Sequence, residues 1–151
     1  MATIIDGIDG LKAKVGEALG ESEPIEITQE QVNLFAEATG DHQWIHVDVE
    51  RAKAGPFGGP IAHGYLTLSL IPVALPQILV VTGISMGVNY GANKVRFPSP
   101  VPVGSTVTMS AKLVNVEDVT GGAQVTVEVT AQVEGAPKPS MVAEVIYRYY
   151  V

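Results

Sequence analysis

Alternating apolar and polar residues mark most of the second half of the chain. The alternation is clearest in TVTMSAKLVNVE, AQVTVEVTAQVE and MVAEVIYRYYV, where Val, Thr and Tyr recur at the two-residue period of a half-buried strand. The turn signals Thr120-Gly121-Gly122 and Gly135-Ala136-Pro137 separate these segments and are typical of hairpin connections. The pattern predicts an antiparallel sheet with strands at residues 85–90, 94–97, 105–117, 123–134 and 140–150.

The N-terminal segment carries a different pattern. Residues 8–19 place apolar side chains three and four positions apart, which predicts a helix, and Gly20 is its expected end. Residues 23–27 then alternate weakly and predict a short strand. We therefore expect a helical N-terminal segment over about residues 1–22.

A second helix is predicted between two strong end signals. Thr28 and Gln31 fit a capping box, and Gly40 is a natural stop. A further short helix is predicted over 49–54, before the glycines and prolines of GPFGGP. The second helix therefore leads the chain directly into Asp41.

A long apolar segment, IAHGYLTLSLIPVALPQILV, follows Pro60. It is apolar on nearly every side, which predicts a buried helix, and Pro72 should kink that helix or end its regular part. The segment is too interrupted for a membrane span, because it contains His63, Pro72, Pro76 and Gln77. Helices followed by an antiparallel sheet, with one apolar helix to be wrapped, predict a single α+β domain over residues 1–151.

Composition excludes several classes of partner and chemistry. The chain has 151 residues, a net charge of −7 and no run of basic residues, so we expect neither nucleic acid nor an anionic membrane as partner. It has no cysteine, which removes disulfides, thiolate nucleophiles and cysteine-based zinc sites. Acidic residues interrupt the N-terminus before any apolar signal region forms, and we expect a cytoplasmic protein.

The segment TGDHQWIHVD contains the leading candidate for acid–base chemistry. Asp41 and His46 lie five positions apart in the loop that follows the second helix. A carboxylate and an imidazole are the usual groups for moving protons to and from water, as hydration and dehydration require. From spacing alone an alternative stays open, in which Asp41 caps a turn and His46 fills a core position.

The step His63-Gly64 opens the apolar helix and is the second candidate. Glycine lets a ligand approach the backbone closely, and the free N–H groups of a first helical turn suit a developing oxyanion. The alternative is that Gly64 allows close packing and that His63 bonds locally.

The segment NYGANKVRFPSPVPVG is the third candidate. Its Asn93 and Arg96, with Tyr90 and Lys94, suit phosphates or a pantetheine chain at the mouth of a pocket, unless they are solvated side chains of an edge strand. Other chemistry has little support: no HExxH metal motif, phosphate-binding loop or G-x-S-x-G nucleophile motif is present, so we expect no metal site.

Taken together, these motifs resemble the MaoC-like (R)-specific enoyl-CoA hydratases of the hotdog superfamily. The family motif, G-D-x-N-P-hydrophobic-H between an aromatic residue and a small residue, is matched by Phe35, the run Thr39-Gly40-Asp41-His42-Gln43-Trp44-Ile45-His46, and Ala52. PIAHGYLTLSL is similar to the central helix of that fold, and KVRFPSPVPVGS to the strand and turn that follow it. The resemblance covers about residues 28–117 and implies an antiparallel sheet wrapped around a central helix.

The resemblance also implies an activity. Asp41 and His46 would hold and activate water, and the Gly64 N–H would polarise a thioester carbonyl. The implied reaction is reversible addition of water to a trans-2-enoyl-CoA, giving an (R)-3-hydroxyacyl-CoA. Further substrate contacts are expected from Gln43, His63, Tyr65, Asn93 and Arg96.

Two departures from the family pattern affect these expectations. The family's Asn-Pro is Gln43-Trp44 here, so Trp44 is expected to anchor the loop by packing where relatives use a proline. Pro72 and Pro76 fall where the family lines its acyl pocket, which prevents any inference about chain length.

Two other functions remain open at this level: a hotdog acyl-CoA thioesterase, and a non-catalytic module that binds acyl-CoA or acyl-carrier protein. We expect a homodimer with sites near its interface, because the family commonly pairs subunits. No separate cofactor is expected, since coenzyme A arrives as part of the substrate. The sequence leaves open the chain length, the carrier and the pathway.

Overall fold

The computed structural model describes all residues from 1 to 151. In chain order its elements are β1 (Thr3–Asp6), α1 (Gly7–Ala13), β2 (Ala18–Glu21), β3 (Ile25–Glu26), α2 (Gln29–Thr39), α3 (Trp44–Val47), α4 (Val49–Lys53), α5 (Gly64–Ser69), α6 (Ile71–Ile78), β4 (Leu79–Thr82), β5 (Met86–Arg96), β6 (Thr106–Val119), β7 (Gly122–Val133) and β8 (Met141–Tyr150). None of its helices has the length and hydropathy that a membrane span requires.

The main sheet is antiparallel, as the alternating pattern predicts. Its strand order is β2-β6-β7-β8-β5, and β3 also pairs with β6. The predicted strands 85–90 and 94–97 are one strand, β5. Register shifts between Asn89 and Gly91, and between Ala92 and Lys94, let β5 stay paired with β8 through the interruption.

The N-terminal segment differs from its prediction. The helix predicted over 8–19 ends at Ala13, and Ala18–Glu21 is instead a strand that pairs with β6. Gly16, at a φ of 90°, turns the chain between them. Pairing with a long strand outweighed a helical spacing that only a few residues supported. The helical segment expected over about 1–22 is wrong outside Gly7–Ala13, since Thr3–Asp6 and Ala18–Glu21 are strands. An unpredicted parallel pair, β1 with β4, lies outside the main sheet.

The central apolar segment forms the helix that packs on the sheet. It is divided into α5 and α6 at Leu70, two residues before Pro72, as the missing proline N–H predicts. Its inward side chains join those of β6, β7 and β8 in one core that includes Leu66, Ile71, Leu75, Ile78, Val107, Met109, Leu113, Val127, Val129, Met141 and Val145. The prediction of burial on every side is wrong, because Tyr65 and Val73 are exposed on the face that does not contact the sheet.

Helix caps fix the chain on either side of the site, although only the Thr28 half of the predicted capping box forms, since the Gln31 Oε1 has no hydrogen-bond partner. The Thr28 Oγ1 accepts a hydrogen bond from the Gln31 N–H at 3.1 Å, which starts α2. Gly40 ends α2 with a φ of 81°, a conformation that glycine adopts without strain. Asp48 caps α4 through the Arg51 N–H at 3.1 Å. The segment between α2 and α4, which contains the loop and α3, is thus capped at both ends.

Candidate active site

Three titratable side chains from three segments meet beside the N-terminus of α5. Asp41 lies in the loop after α2, His46 lies in α3, and His63 precedes α5. One ligand-type atom from each side chain lies within 4.8 Å of the others. The fold therefore brings the predicted pair together and adds a second imidazole to it.

His46 is held as a neutral base. It is 6% exposed, and its Nδ1 lies 2.7 Å from the carbonyl oxygen of Ile61. A carbonyl oxygen only accepts, so Nδ1 carries the hydrogen and the lone pair is on Nε2. Burial lowers the pKa of His46, and the neighbouring His63 lowers it further, while the Ile61 bond and the Asp41 charge act in the opposite direction. The imidazole is thus favoured in the form that accepts a proton.

Asp41 is exposed, and its carboxylate is oriented by a local turn. Its Oδ1 accepts a hydrogen bond from the Gln43 N–H at 3.3 Å, and its own N–H donates to the Thr39 Oγ1 at 3.4 Å. A separation of no more than 4.8 Å from the imidazole is one that a single water molecule bridges with two hydrogen bonds of about 2.8 Å each. The arrangement suits two groups that share one water.

His63 lies behind this pair. It is 2% exposed, and its Nε2 lies 3.0 Å from the main-chain oxygen of Asp41. Its ring stacks on His46 with centroids 3.9 Å apart and planes at 26°, and its other neighbour is the Phe35 ring at 4.9 Å. The Nδ1 is buried without a hydrogen-bond partner.

Gly64 borders two cavities. The N–H groups of a first helical turn have no acceptor within the helix, and Gly64 is the first residue of α5. The larger cavity, of about 290 Å³, is lined by residues that include Gly64, His46, Phe97 and the buried Ser140. The smaller cavity, of about 240 Å³, lies on the Asp41 side. Gly64, His46 and Phe97 line both cavities. A Cβ at Gly64 would lie 3.0 Å from the Phe97 ring, so only glycine fits there without displacing that ring.

Asp41, His46 and His63 lie close enough together for a metal site, but the orientation of the two imidazoles is unfavourable for sharing one ion. Each lone pair of an imidazole lies in the plane of its ring, and the His46 and His63 rings are stacked at 26°. An ion in the plane of one ring therefore lies outside the plane of the other. His46 Nδ1 and His63 Nε2 are in addition bonded to carbonyl oxygens. The geometry favours proton transfer over metal binding.

The predicted anchoring role of Trp44 is confirmed by its packing. A Cβ at Gly55 would lie 2.9 Å from the Trp44 ring, so the indole rests directly on that glycine. The Arg51 guanidinium covers the other part of the ring, 4.3 Å from its centroid. Trp44 starts α3, and its packing therefore fixes the helix that carries His46.

Replacing Trp44 with alanine should lower the free energy of unfolding by about 1–3 kcal/mol, because a half-buried indole loses its contacts with Gly55 and Arg51. Urea unfolding of the two proteins measures the difference. Arg51→Ala is the control, since it removes only the cation, which contributes about 0.5–1 kcal/mol at an exposed site. Equal losses in the two variants would contradict an anchoring role for the ring.

The other residues predicted to contact substrate are exposed. Tyr65 lines the cavity beside Asp41 with a side chain that is 70% exposed. Gln43 orients Asp41 through its main chain, and its side chain is exposed. Asn93 and Arg96 are exposed on β5 and line neither cavity at Gly64. Their contacts with substrate stay predictions.

Three contributors were not predicted from the sequence. They are the Ile61 carbonyl that fixes the His46 tautomer, the Phe97 ring against Gly64, and Ser140 in the larger cavity. Phe97 directly follows the predicted Arg96. The sequence therefore pointed to the right segment but not to Phe97, the residue in it that lies against Gly64. A main-chain carbonyl and a distant serine give no local sequence signal.

Comparisons with known proteins identify relatives of this chain. A family model described as MaoC like domain matches residues 11–135. The 3-hydroxyacyl-thioester dehydratase Z of Mycobacterium tuberculosis is 57% identical over 145 residues, which cover 95% of this chain and 96% of that protein.

Solved structures show the same fold. A monoamine oxidase regulatory protein from Archaeoglobus matches with a TM-score of 0.79 at 26% identity, covering 100% of this chain and 99% of that chain. An R-hydratase from Pseudomonas aeruginosa, unliganded, matches with a TM-score of 0.75 at 24% identity, covering 95% and 85%. The α+β hotdog arrangement predicted from the sequence is confirmed.

Proposed function

Because the chain belongs to the MaoC-like domain family, we propose that it is a hydro-lyase, an (R)-specific enoyl-CoA hydratase and 3-hydroxyacyl-thioester dehydratase. It adds water reversibly to a trans-2-enoyl thioester. The observation that carries the proposal is the approach of the Asp41 carboxylate and the neutral His46 imidazole to within 4.8 Å beside Gly64.

The reaction follows from the positions of these groups. The Asp41 carboxylate and His46 Nε2 each accept a hydrogen bond from one water. As the water oxygen attacks C3, His46 takes its proton, and negative charge moves through C2 to the thioester oxygen. The Gly64 N–H donates to that oxygen, and loss of such a donor typically costs about 3 kcal/mol of barrier. The proton then reaches C2 as the carbonyl re-forms, so H and OH have been added across the double bond.

The mycobacterial relative supports the thioester class of substrate. Its name gives the dehydration direction and a 3-hydroxyacyl thioester, without specifying coenzyme A or a carrier protein. Hydration and dehydration share one transition state, so the same residues serve both directions. Coenzyme A as the carrier and a cytoplasmic location stay predictions.

One assay separates the candidate functions. Mixing the protein with crotonyl-CoA and longer enoyl-CoAs should remove the enoyl-thioester absorbance, and the product should be oxidised only by an (R)-specific 3-hydroxyacyl-CoA dehydrogenase. Release of free thiol from a saturated acyl-CoA would instead indicate a thioesterase. Tight binding without turnover of either substrate would indicate a binding module.

A homodimer is the second part of the proposal. β5 lies at one end of the strand order and pairs only with β8. Met86, Val88 and Tyr90 are exposed along it, and such an apolar edge invites pairing with a second copy. Antiparallel pairing of the two β5 edges would satisfy their free backbone groups.

Val88→Lys should convert the dimer into a monomer, because it places a charge in the apolar edge that pairing of the two β5 strands would bury. Light scattering after size exclusion reports the mass, with 15.9 kDa expected for a single chain. Val114→Lys is a matched control on β6, since Val114 is 38% exposed and Val88 is 37% exposed. A parent protein that elutes as a monomer, or a dimer that survives Val88→Lys, would contradict the pairing through β5.

A further inference from the structure

One buried imidazole takes no part in the reaction outlined above. His63 lies between Asp41, His46 and Phe35 and precedes α5 without making a capping hydrogen bond. Its Nδ1 is buried and unpaired. A buried unpaired nitrogen is unfavourable, so packing alone does not account for an imidazole where an apolar ring has a similar size.

The bond to Asp41 defines the state of the His63 ring. The Asp41 carbonyl oxygen accepts, so the hydrogen must be on the His63 Nε2, which donates at 3.0 Å. The His63 N–H thus holds the main chain of Asp41, the residue that carries the carboxylate. This restraint matters because the Asp41 side chain is exposed and is otherwise oriented by one long bond, at 3.3 Å, from the Gln43 N–H.

The face of the His63 ring also restrains His46, the proposed base. His46 has one in-plane anchor, the Ile61 carbonyl at 2.7 Å, which leaves the ring free to rotate about that bond. Stacking on His63, with centroids 3.9 Å apart, removes that freedom. The direction of the His46 Nε2 lone pair therefore depends on His63.

We propose that His63 is a positioning residue that sets the geometry between the Asp41 carboxylate and the His46 imidazole. The inference rests on the proposed hydratase function. The acid is carried by the loop after α2 and the base by α3, and His63 joins the two from a third segment. It directly precedes Gly64, so the same dipeptide connects the water-activating pair to the N–H beside the thioester.

Three substitutions separate positioning from packing. His63→Gln keeps an N–H donor near the Nε2 position and loses the ring. His63→Phe keeps an apolar ring stacked on His46 and loses the donor. His63→Ala loses both. We expect kcat for the glutamine variant to stay within about tenfold of the parent, and kcat for the phenylalanine and alanine variants to fall about 100-fold, with small changes in KM.

The rank order of the variants in kcat and Tm distinguishes a positioning role from a core-packing role. A residue that only fills the core is replaced better by phenylalanine than by glutamine, in both kcat and Tm. A phenylalanine variant with the parent kcat, or a glutamine variant no faster than alanine, would overturn the positioning role. Parent protein that hydrates no enoyl thioester would overturn the proposed function and this inference with it, whereas an active parent with unaffected variants overturns the inference alone.

A measurement without substrate gives a second readout. His46 faces two titratable neighbours, Asp41 and His63, and His63 lowers its pKa. In the folded His63→Phe variant, NMR titration of His46 should therefore show a higher pKa than in the parent. An unchanged pKa would contradict the effect of His63 on His46.

Discussion

Asp41→Asn is expected to lower kcat for hydration of an enoyl thioester by a factor of about 10²–10⁴ while leaving the fold intact. Asparagine has the size of aspartate, and its carbonyl oxygen still accepts the Gln43 N–H that orients the side chain. What disappears is the negative charge, and with it the strong acceptor that holds the attacking water and stabilises a protonated His46. Stopped-flow loss of enoyl absorbance, beside circular dichroism of both proteins, measures the effect.

Glu37→Gln is the matched control for the loss of one negative charge. Glu37 lies on α2, close in sequence to Asp41, and pairs with the exposed His42 at 2.7 Å. It lines neither cavity at Gly64, so its removal should change kcat by no more than about twofold. An asparagine variant that turns over as fast as the glutamine control would remove Asp41 from the mechanism.

The sequence predicts the placement of Asp41 because each determinant is local. Thr28 starts α2, Gly40 ends it, and the next residue is the carboxylate; both caps form as their residue types require. The main sheet is predictable for the same reason, since alternation over ten or more residues leaves one face for the core. Trp44, which the sequence predicts to anchor the loop in place of a proline, packs on Gly55.

The parts that could not be predicted depend on contacts between distant segments. Ala18–Glu21 follows a helical spacing but forms a strand, because β6 offers it a partner about ninety positions away. From the sequence, His63 is expected to contact substrate or to bond locally. Its bond to the Asp41 carbonyl spans 22 residues, and its stacking on His46 needs three segments in place. Roles of this kind depend on tertiary contacts, which leave no periodic pattern in the sequence.

The same distinction explains why His46 is more constrained than its partner acid. Asp41 is exposed and oriented by its own turn, whereas His46 depends on the Ile61 carbonyl and the His63 ring. Burial lowers the pKa of His46, which favours the neutral imidazole that accepts a proton.

His46→Asn is expected to lower kcat by a factor of about 10²–10⁴, because it removes the Nε2 lone pair that takes the proton from water. The asparagine amide nitrogen replaces Nδ1 and still donates to the Ile61 carbonyl, so the local fold keeps its anchor. His42→Asn is the matched control, since His42 is exposed, pairs with Glu37 and lines neither cavity at Gly64. It should retain about the parent rate.

The pH dependence of kcat/KM tests the same residue without relying on a rate loss. Because the pKa of His46 lies below the ordinary 6.5, the imidazole is neutral at pH 7, and the parent should lose activity only as pH falls through that lowered value. This acid limb should be absent from the residual activity of His46→Asn and unchanged in His42→Asn. If His46→Asn keeps the parent's acid limb, another group accepts the proton; if His42→Asn loses the limb, the titrating residue is His42.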